Sequence, residues 1–264
     1  MNLKKELSIK INTFLHTYLN LRIQRTKVIR FPNEATDRDK EIMSSMLKPD
    51  GDRNKMLSKI SDDRLFAAIS AVKYLERNKI DGDLVECGVW KGGCAAAMAM
   101  VLKDIGSEKK IYLYDTYEGM TEPSEFDNIY TSGENAMKRF LSHKEKGDKW
   151  CYSSINEVKS LFQKYDLLDF SIFIKGDVAQ TLNVEDNLPK KISLLRLDTD
   201  FYDSTLKELE TLYPRLEKGG VLLIDDYGFW DGAKKAVDEY FSQSDFPMPL
   251  MWINDFSGRG MIKI

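Results

Sequence analysis

The fold is decided by residues 83–100, which read DLVECGVWKGGCAAAMAM. The segment starts with a short apolar run at residues 84–87, passes through a turn that contains three glycines, and ends in an alanine-rich stretch. A buried strand, a tight loop and a helix in this order form the first βα unit of a parallel sheet. The segment therefore predicts an α/β protein with its first loop at a ligand-binding edge.

Four further apolar runs follow this unit, at residues 111–114, 170–174, 192–197 and 221–224. Helical patterns separate them, among them residues 94–102 and residues 206–216, and Gly219 with Gly220 is expected to stop the second of these helices. Strands alternating with helices predict a mostly parallel, doubly wound sheet with helices on both faces. Ligands of such sheets bind beyond the carboxyl ends of the strands, so the residues there are the ones to examine for chemistry.

The chain before residue 61 is expected to be an extension of the main domain, which spans residues 61–264. Apolar residues recur at helical spacing over residues 3–21, and such an amphipathic helix packs against the domain or a second subunit, or lies on a membrane surface. Residues 30–52 are polar, and Pro32, Pro49 and Gly51 interrupt them, which favours a linker or a flap. Ser61 is expected to cap the first helix of the main domain.

Composition excludes several classes of protein. The 264 residues carry 39 basic and 42 acidic side chains, a formal net charge of -3 without a continuous basic region, so nucleic acid is not an expected partner. No apolar run reaches the roughly 20 residues that a membrane span requires. The odd number of cysteines, 3, fits free buried thiols, and a cytoplasmic location is expected.

The loop after the first strand favours a cationic ligand over a dinucleotide. It lacks the G-x-G-x-x-G pattern, and Glu86 would repel a pyrophosphate but attract the sulfonium and ammonium groups of S-adenosylmethionine. The alternative is that the loop is a structural turn, in which Glu86 serves only as a capping residue. Asp115 ends the second strand, where a carboxylate can accept two hydrogen bonds from a ribose. Asp177 follows the third strand and either meets the adenine amine or caps the next helix.

Carboxylates cluster after the last two strands. Asp198 and Asp200 follow the fourth strand, and Asp225 with Asp226 follows the fifth. Because like charges at one sheet edge repel one another, a bound cation is expected to neutralise Asp198, Asp225 and Asp226. Oxygen ligands without histidine or cysteine favour Mg²⁺, with Mn²⁺ or Ca²⁺ as alternatives, over zinc. Asp200 and Asp203 have a second interpretation as caps of the following helix.

Four motifs carry a family resemblance: residues 83–93, DLVECGVWKGG; residues 113–120, LYDTYEGM; residues 194–205, LLRLDTDFYDST; and residues 219–228, GGVLLIDDYG. The chain resembles the macrocin O-methyltransferase family over roughly residues 60–245. The resemblance implies a class I, Rossmann-like methyltransferase fold, magnesium dependence and a homodimer. It also implies cofactor-binding residues, namely Glu86, Gly88, Val89, Gly92, Gly93, Asp115, Thr116, Asp177 and Val178.

The expected reaction is methylation of a hydroxyl on a sugar of a glycosylated product or polysaccharide. An aliphatic hydroxyl is hardly ionised at neutral pH, so we expect it to be activated at the cation held by Asp198, with Asp200 or His143 taking the proton. Related catechol enzymes have a lysine base where this chain has Phe201. The alternatives are a phenolic or catechol acceptor, and a cofactor-binding module without catalysis. A nicotinamide dehydrogenase would need the missing glycine pattern.

Overall fold

The computed structural model describes residues 28–52, 55–247 and 251–264. The predicted helix at residues 3–21 lies outside these residues. The strands are β1 (Asp83–Cys87), β2 (Ile111–Asp115), β3 (Ser171–Lys175), β4 (Ile192–Leu197), β5 (Leu216–Ile224), β6 (Trp252–Ile253) and β7 (Arg259–Ile262). The α-helices are α1 (Asp37–Leu47), α2 (Asp62–Arg77), α3 (Gly93–Ile105), α4 (Ala136–Lys146), α5 (Ile155–Lys164), α6 (Val178–Thr181), α7 (Tyr202–Leu212) and α8 (Asp231–Gln243).

The strands form one sheet in the order β3-β2-β1-β4-β5-β7-β6. The first five in this order run parallel, and β7 pairs antiparallel with both β5 and β6. All five predicted strands are confirmed, as is the mostly parallel α/β architecture. The strand order reverses between β1 and β4, which places the loops after these two strands at the crevice where ligands of such sheets bind.

Side chains alternate between two cores, one on each face of the sheet. Leu84, Leu113 and Leu194 point into the core that is covered by α1, α2 and α3. Val85 and Leu195 point into the core on the other face, where α7 and α8 pack. The strands are therefore buried on both sides, which explains why they read as nearly continuous apolar runs in the sequence.

The prediction of a linker or flap at residues 30–52 is wrong for its central part, which forms α1. Thr36 and Asp39 make a capping box at the start of this helix. Ile42, Met43 and Met46 are buried against the helices beside the sheet. The apolar residues of this segment are few and lie only in the last two turns, so the polar start hid the helical pattern.

The expected end of the helix predicted at residues 206–216 is also wrong. Helix α7 ends at Leu212, and Gly219 and Gly220 lie inside β5. Gly219 has a positive φ of 77°, and the pairing of β5 with β4 changes register nearby, so these glycines mark an irregular strand. The predicted cap of α2 is confirmed, since the Ser61 side chain accepts a hydrogen bond from the Arg64 amide. Among the described residues no helix is both long and apolar enough to cross a membrane.

Candidate active site

A cavity of about 380 Å³ opens at the carboxyl ends of the parallel strands. It contains residues from every strand-end motif that the sequence singles out. The predicted site residues that line it are Glu86, Gly88, Val89, Asp115, Thr116, Asp177, Val178, Asp198, Asp200, Asp225 and Asp226. Predicted cofactor-binding and metal-binding positions therefore share one cavity.

Asp115 holds the loop after β1 in place. Its Oδ2 accepts hydrogen bonds from the amides of Val89, at 2.7 Å, and Trp90, at 2.8 Å, while Oδ1 accepts one from the Tyr117 amide at 2.6 Å. Burial raises the pKa of Asp115, and the three amide donors oppose that rise. The carboxylate that is predicted to bind a ribose therefore also shapes the loop around the cofactor position.

The glycines of this loop serve two different purposes. Gly88 lines the cavity with a φ of 84°, and a Cβ atom there would lie 2.0 Å from the carbonyl oxygen of Asp198. Gly92 and Gly93 are not among the described residues that line the cavity. A Cβ atom on Gly92 would meet the Val158 side chain at 2.7 Å, and one on Gly93 would meet the Leu57 backbone at 2.4 Å. Both glycines therefore have a packing role, and their predicted contact with the cofactor stays a prediction.

Asp177 caps the next helix, which confirms one of its two interpretations and leaves the contact with the adenine amine a prediction. Its side chain caps α6 by accepting a hydrogen bond from the Ala179 amide at 2.8 Å. The residue also lines the cavity, beside Val178. The cap fixes one carboxylate oxygen and leaves the residue at the cavity wall.

Arg196 is the centre of a buried ion-pair network that was not predicted from the sequence. Its side chain is 3% exposed, and its guanidinium contacts Glu86 at 2.5 Å, Asp198 at 2.8 Å and Asp225 at 2.5 Å. Although burial opposes the charged form, the surrounding carboxylates raise the pKa of Arg196. Glu86 and Arg196 lie opposite each other in the pairing of β1 with β4. The sequence signal that could have indicated this network is a charged residue, Arg196, within an otherwise apolar strand.

A second arginine joins this network from α2. Arg64 pairs with Asp225 and with Asp255, the latter at 3.0 Å. Ser257, which follows Asp255 in the C-terminal loop, donates a hydrogen bond to the Asp225 carbonyl at 2.6 Å. Both carboxylate oxygens of Asp225 therefore have guanidinium partners, from Arg196 and Arg64.

The carboxylates of Asp198, Asp200 and Asp226 converge at the strand ends. Each offers an oxygen that lies within 4.8 Å of the others. Burial and neighbouring carboxylates raise the pKa of Asp198 and of Asp226. The Oδ2 atom of Asp226 is buried without a hydrogen-bond partner in the described part of the chain. An all-oxygen set with an unpartnered buried oxygen fits a hard divalent cation.

The backbone at Asp200 is held in an uncommon conformation. Its φ is 71°, in the left-handed region that a side chain normally disfavours. Burial and the charge on Asp198 raise the pKa of Asp200 to about 8, despite a partial offset from Asp226. The alternative interpretation of Asp200 as a helix cap is wrong, because α7 begins at Tyr202 without a side-chain cap.

His143 does not line the cavity, in contrast to the expectation of a proton acceptor. Its Nδ1 atom lies 2.6 Å from the Asp148 carboxylate, and its ring stacks on Trp150 with a centroid separation of 6.1 Å. Trp150 lines the cavity, whereas His143 contacts the Trp150 ring and is not among the described lining residues. The imidazole is thus one layer behind the surface that an acceptor would touch.

Aromatic residues form the cavity wall opposite the strand ends. The Trp150 ring lies 5.9 Å from that of Phe201 and 6.2 Å from that of Trp230. Trp150, Trp230 and Phe229 line the cavity. These rings give the cavity an apolar surface beside its carboxylates.

The sheet order and the ligand crevice at the carboxyl ends of β1 and β4 define a class I methyltransferase fold. A solved structure described as that of the O-methyltransferase NovP has the same fold, with a TM-score of 0.70 and 27% identity over 84% of this chain and 88% of that chain. The family model described as Macrocin-O-methyltransferase (TylF) matches residues 14–258. The chain belongs to the macrocin O-methyltransferase family.

Two curated relatives are similar over the same domain. The demethyldecarbamoylnovobiocin O-methyltransferase of Streptomyces niveus is 32% identical over 183 residues, which is 67% of this chain and 64% of the relative. A Streptomyces olivaceus protein is 32% identical over 185 residues, 69% of this chain and 65% of the relative. Its name is 8-demethyl-8-(2,3-dimethoxy-alpha-L-rhamnosyl)-tetracenomycin-C 4'-O-methyltransferase. The match thus spans slightly less than two thirds of the length of these relatives.

Proposed function

We propose that this protein transfers a methyl group from S-adenosylmethionine to a hydroxyl on a sugar, with a divalent cation bound beside the cofactor. The single observation that carries the proposal is that Asp198, Asp200 and Asp226 converge in the cavity that also contains Glu86 and the Asp115 loop. One cavity thus brings an oxygen-only cation site next to acidic residues suited to the cofactor. Membership of the family supports the methyl donor.

The cofactor would bind along the carboxyl ends of β1, β2 and β3. Glu86 offers a buried Oε2 atom that has no hydrogen-bond partner among the described residues, which suits an ammonium or sulfonium group. The backbone around Gly88 would approach the ligand closely because this residue has no side chain. Asp115 would bind the ribose and Asp177 the adenine amine, which their positions in the cavity lining support.

The reaction forms a C–O bond to the acceptor and breaks the C–S bond, whose electron pair stays on sulfur to give S-adenosylhomocysteine. A bound divalent cation supplies Lewis-acid stabilisation of the developing negative charge on oxygen. Asp200 accepts the hydroxyl proton in this proposal, because it lines the cavity and its carboxylate converges with those of Asp198 and Asp226. His143, which lies behind Trp150, is the less suitable proton acceptor.

Two of the three expected cation ligands, Asp198 and Asp226, belong to the converging group. The third, Asp225, is paired with two arginines, and each of its oxygens retains a second lone pair. We therefore keep Asp225 as a third ligand that arginine positions, with Asp200 as its competitor for that place. Matched variants separate the two assignments. If Asp225 is the third ligand, D225N should lower the affinity for the cation. In that case D200N should lower turnover and leave the affinity for the cation unchanged.

A sugar acceptor is favoured over a phenolic one by two observations. One relative's name specifies a rhamnosyl-bearing acceptor. Trp150 is flanked by Arg139, whose guanidinium carbon lies 5.5 Å from the ring centroid, so an apolar surface stands beside hydrogen-bond donors. Sugars present both C–H faces and hydroxyls, which suits such a mixed wall.

The test measures binding of S-adenosylhomocysteine by calorimetry, with Mg²⁺ and with EDTA, followed by methyl transfer from labelled S-adenosylmethionine to rhamnosides and to catechol. We expect cofactor binding, loss of transfer in EDTA, and transfer to the rhamnosides. Tight cofactor binding without any Mg²⁺ effect or transfer would favour a binding module. Absence of cofactor binding would refute the proposal. Gel filtration with light scattering tests the homodimer, which stays a prediction.

A further inference from the structure

Four cationic side chains line the cavity: Arg64, Arg196, Lys59 and Arg139. The two arginines near the strand ends are fully engaged by carboxylates. The other two, Lys59 and Arg139, have no carboxylate partner in the part of the chain that the structure describes. Lys59 and Arg139 thus form a cationic part of a cavity whose other charged lining residues are mostly carboxylates.

Among the described residues, the contacts of the Lys59 ammonium group are with neutral groups. Its Nζ atom lies 4.4 Å from the centroid of the Trp90 ring and 3.3 Å from the Sγ atom of Cys151. An ammonium group retains free donor positions after one weak bond to sulfur. The side chain is exposed, so it can turn toward a ligand at low cost.

Arg139 projects from α4 over the Trp150 ring, at 5.5 Å from its centroid. The ring contact uses the face of the guanidinium and leaves its in-plane donors available. Both cations therefore lie beside the consecutive residues Trp150 and Cys151. Burial raises the pKa of the Cys151 thiol, and Lys59 and Arg139 both oppose that rise, which indicates that their charges act on the same point of the cavity.

We propose that the acceptor carries an anionic group, a phosphate or a carboxylate, which binds between Lys59 and Arg139. The inference rests on the proposed function and predicts that this site prefers anionic sugars to neutral ones as acceptors. A sugar ring on the aromatic wall would place one hydroxyl toward Asp200 and its charged substituent toward the two cations. The arginine supplies a planar pair of donors and the lysine a point charge, the two modes by which proteins bind phosphate and carboxylate.

The rival role for Lys59 is binding of the cofactor's own carboxylate, since the Trp90 loop is close. Binding of the cofactor carboxylate is not a rival role for Arg139, because Arg139 contacts the Trp150 ring and not the Trp90 loop. The two roles differ in what the variant changes. Loss of the acceptor contact leaves S-adenosylhomocysteine affinity unaltered, whereas loss of a cofactor contact weakens it.

Calorimetry on the full chain saturated with S-adenosylhomocysteine tests the proposal. The probes are glucose 1-phosphate, methyl glucuronide and neutral methyl glucoside, and EDTA is present so that no phosphate is bound through a metal ion. We expect at least one anionic probe to bind about tenfold more tightly than the neutral one, as two partly exposed ion pairs allow. The better of the two anionic probes identifies phosphate or carboxylate as the source.

The preference should fall in K59A and in R139A and disappear in the double variant. The matched controls are K91A and K138A. Lys91 also stacks on Trp90, at 4.8 Å, and Lys138 neighbours Arg139, but neither is a described cavity-lining residue, so both variants should keep the preference. Equal binding of neutral and anionic probes, no binding of any probe, or an undiminished preference in the double variant overturns the proposal. A K59A variant that weakens only cofactor binding also overturns it. Methylation of neutral sugars would still support the proposed function.

Discussion

Replacing Arg196 by methionine should cost the protein a large part of its stability. The substitution keeps most of the side-chain volume but removes the charge that Glu86, Asp198 and Asp225 share. Each of these pairs has a gross attraction of about 4 kcal/mol at an effective dielectric constant of about 20. Desolvation of the ions offsets much of that sum, and breaking a buried pair leaves a net cost of about 3–5 kcal/mol.

Urea unfolding at pH 8 and pH 5, both in EDTA, measures this cost for wild type, R196M and R196K. Burial raises the pKa of Glu86 and of Asp198, and loss of Arg196 should raise both further. Carboxyl groups whose folded-state pKa lies above the unfolded value destabilise the fold at high pH, and this effect decreases as pH falls through the folded-state pKa. The deficit of R196M should therefore shrink by at least about 1 kcal/mol between pH 8 and pH 5.

R196K should lose less stability than R196M, since lysine keeps the charge but cannot present donors to three carboxylates at once. R215M is the matched control, because the Arg215 pair with Glu185 is largely exposed and should cost less than about 1 kcal/mol. A deficit of R196M below about 1 kcal/mol at pH 8, or one that is the same at both pH values, would refute the reasoning.

Three further predictions concern stability and are measured by urea or thermal unfolding. Burial raises the pKa of Glu208 to about 8, so the free energy of unfolding of wild type should fall as pH rises from about 4.5 to 8. Over that range the free energy of unfolding of E208Q should increase relative to wild type by about 1 kcal/mol or more, and a constant difference between the two proteins contradicts this. G88A should cost more than about 3 kcal/mol because its Cβ would strike the Asp198 carbonyl, whereas G133A, with open space around it, should cost only about 1 kcal/mol. D39A should cost about 2 kcal/mol by removing the buried partner of Lys73 and the half of the capping box in which Asp39 accepts from the Thr36 amide, while the exposed D37A should stay within about 0.5 kcal/mol; equal effects would count against α1 as an integral helix.

The strands and the strand-end carboxylates were predictable from local patterns. A parallel strand covered on both faces must be apolar along its length, so residues 192–197 and 221–224 stand out in the sequence. The residues that end such strands must then lie at one edge of the sheet. Helix α1 was less predictable, because its capping box and few buried side chains make a weak pattern between proline and glycine residues.

The β6–β7 hairpin could not be anticipated in the same way. Its strands are only 2 and 4 residues long, and the second pairs with β5 from the opposite direction. Its loop nevertheless contributes Asp255 to the Arg64 pair and Ser257 to the Asp225 carbonyl. Short antiparallel strands carry little periodic signal, so their place at the site depends on pairing with a distant strand.

Periodicity and strand ends are local properties of the chain, so the amino-acid sequence is enough to predict which residues lie at the ligand-binding edge. Which charges neutralise one another there depends on the tertiary structure. Arg196 reaches Glu86 because β1 and β4 are adjacent and in register, and it reaches Asp225 because β5 lies on the other side. Asp200 thereby joins Asp198 and Asp226 while Asp225 is held by arginines. Charge pairing depends on distances across strands that are far apart in sequence, and no local pattern specifies those distances.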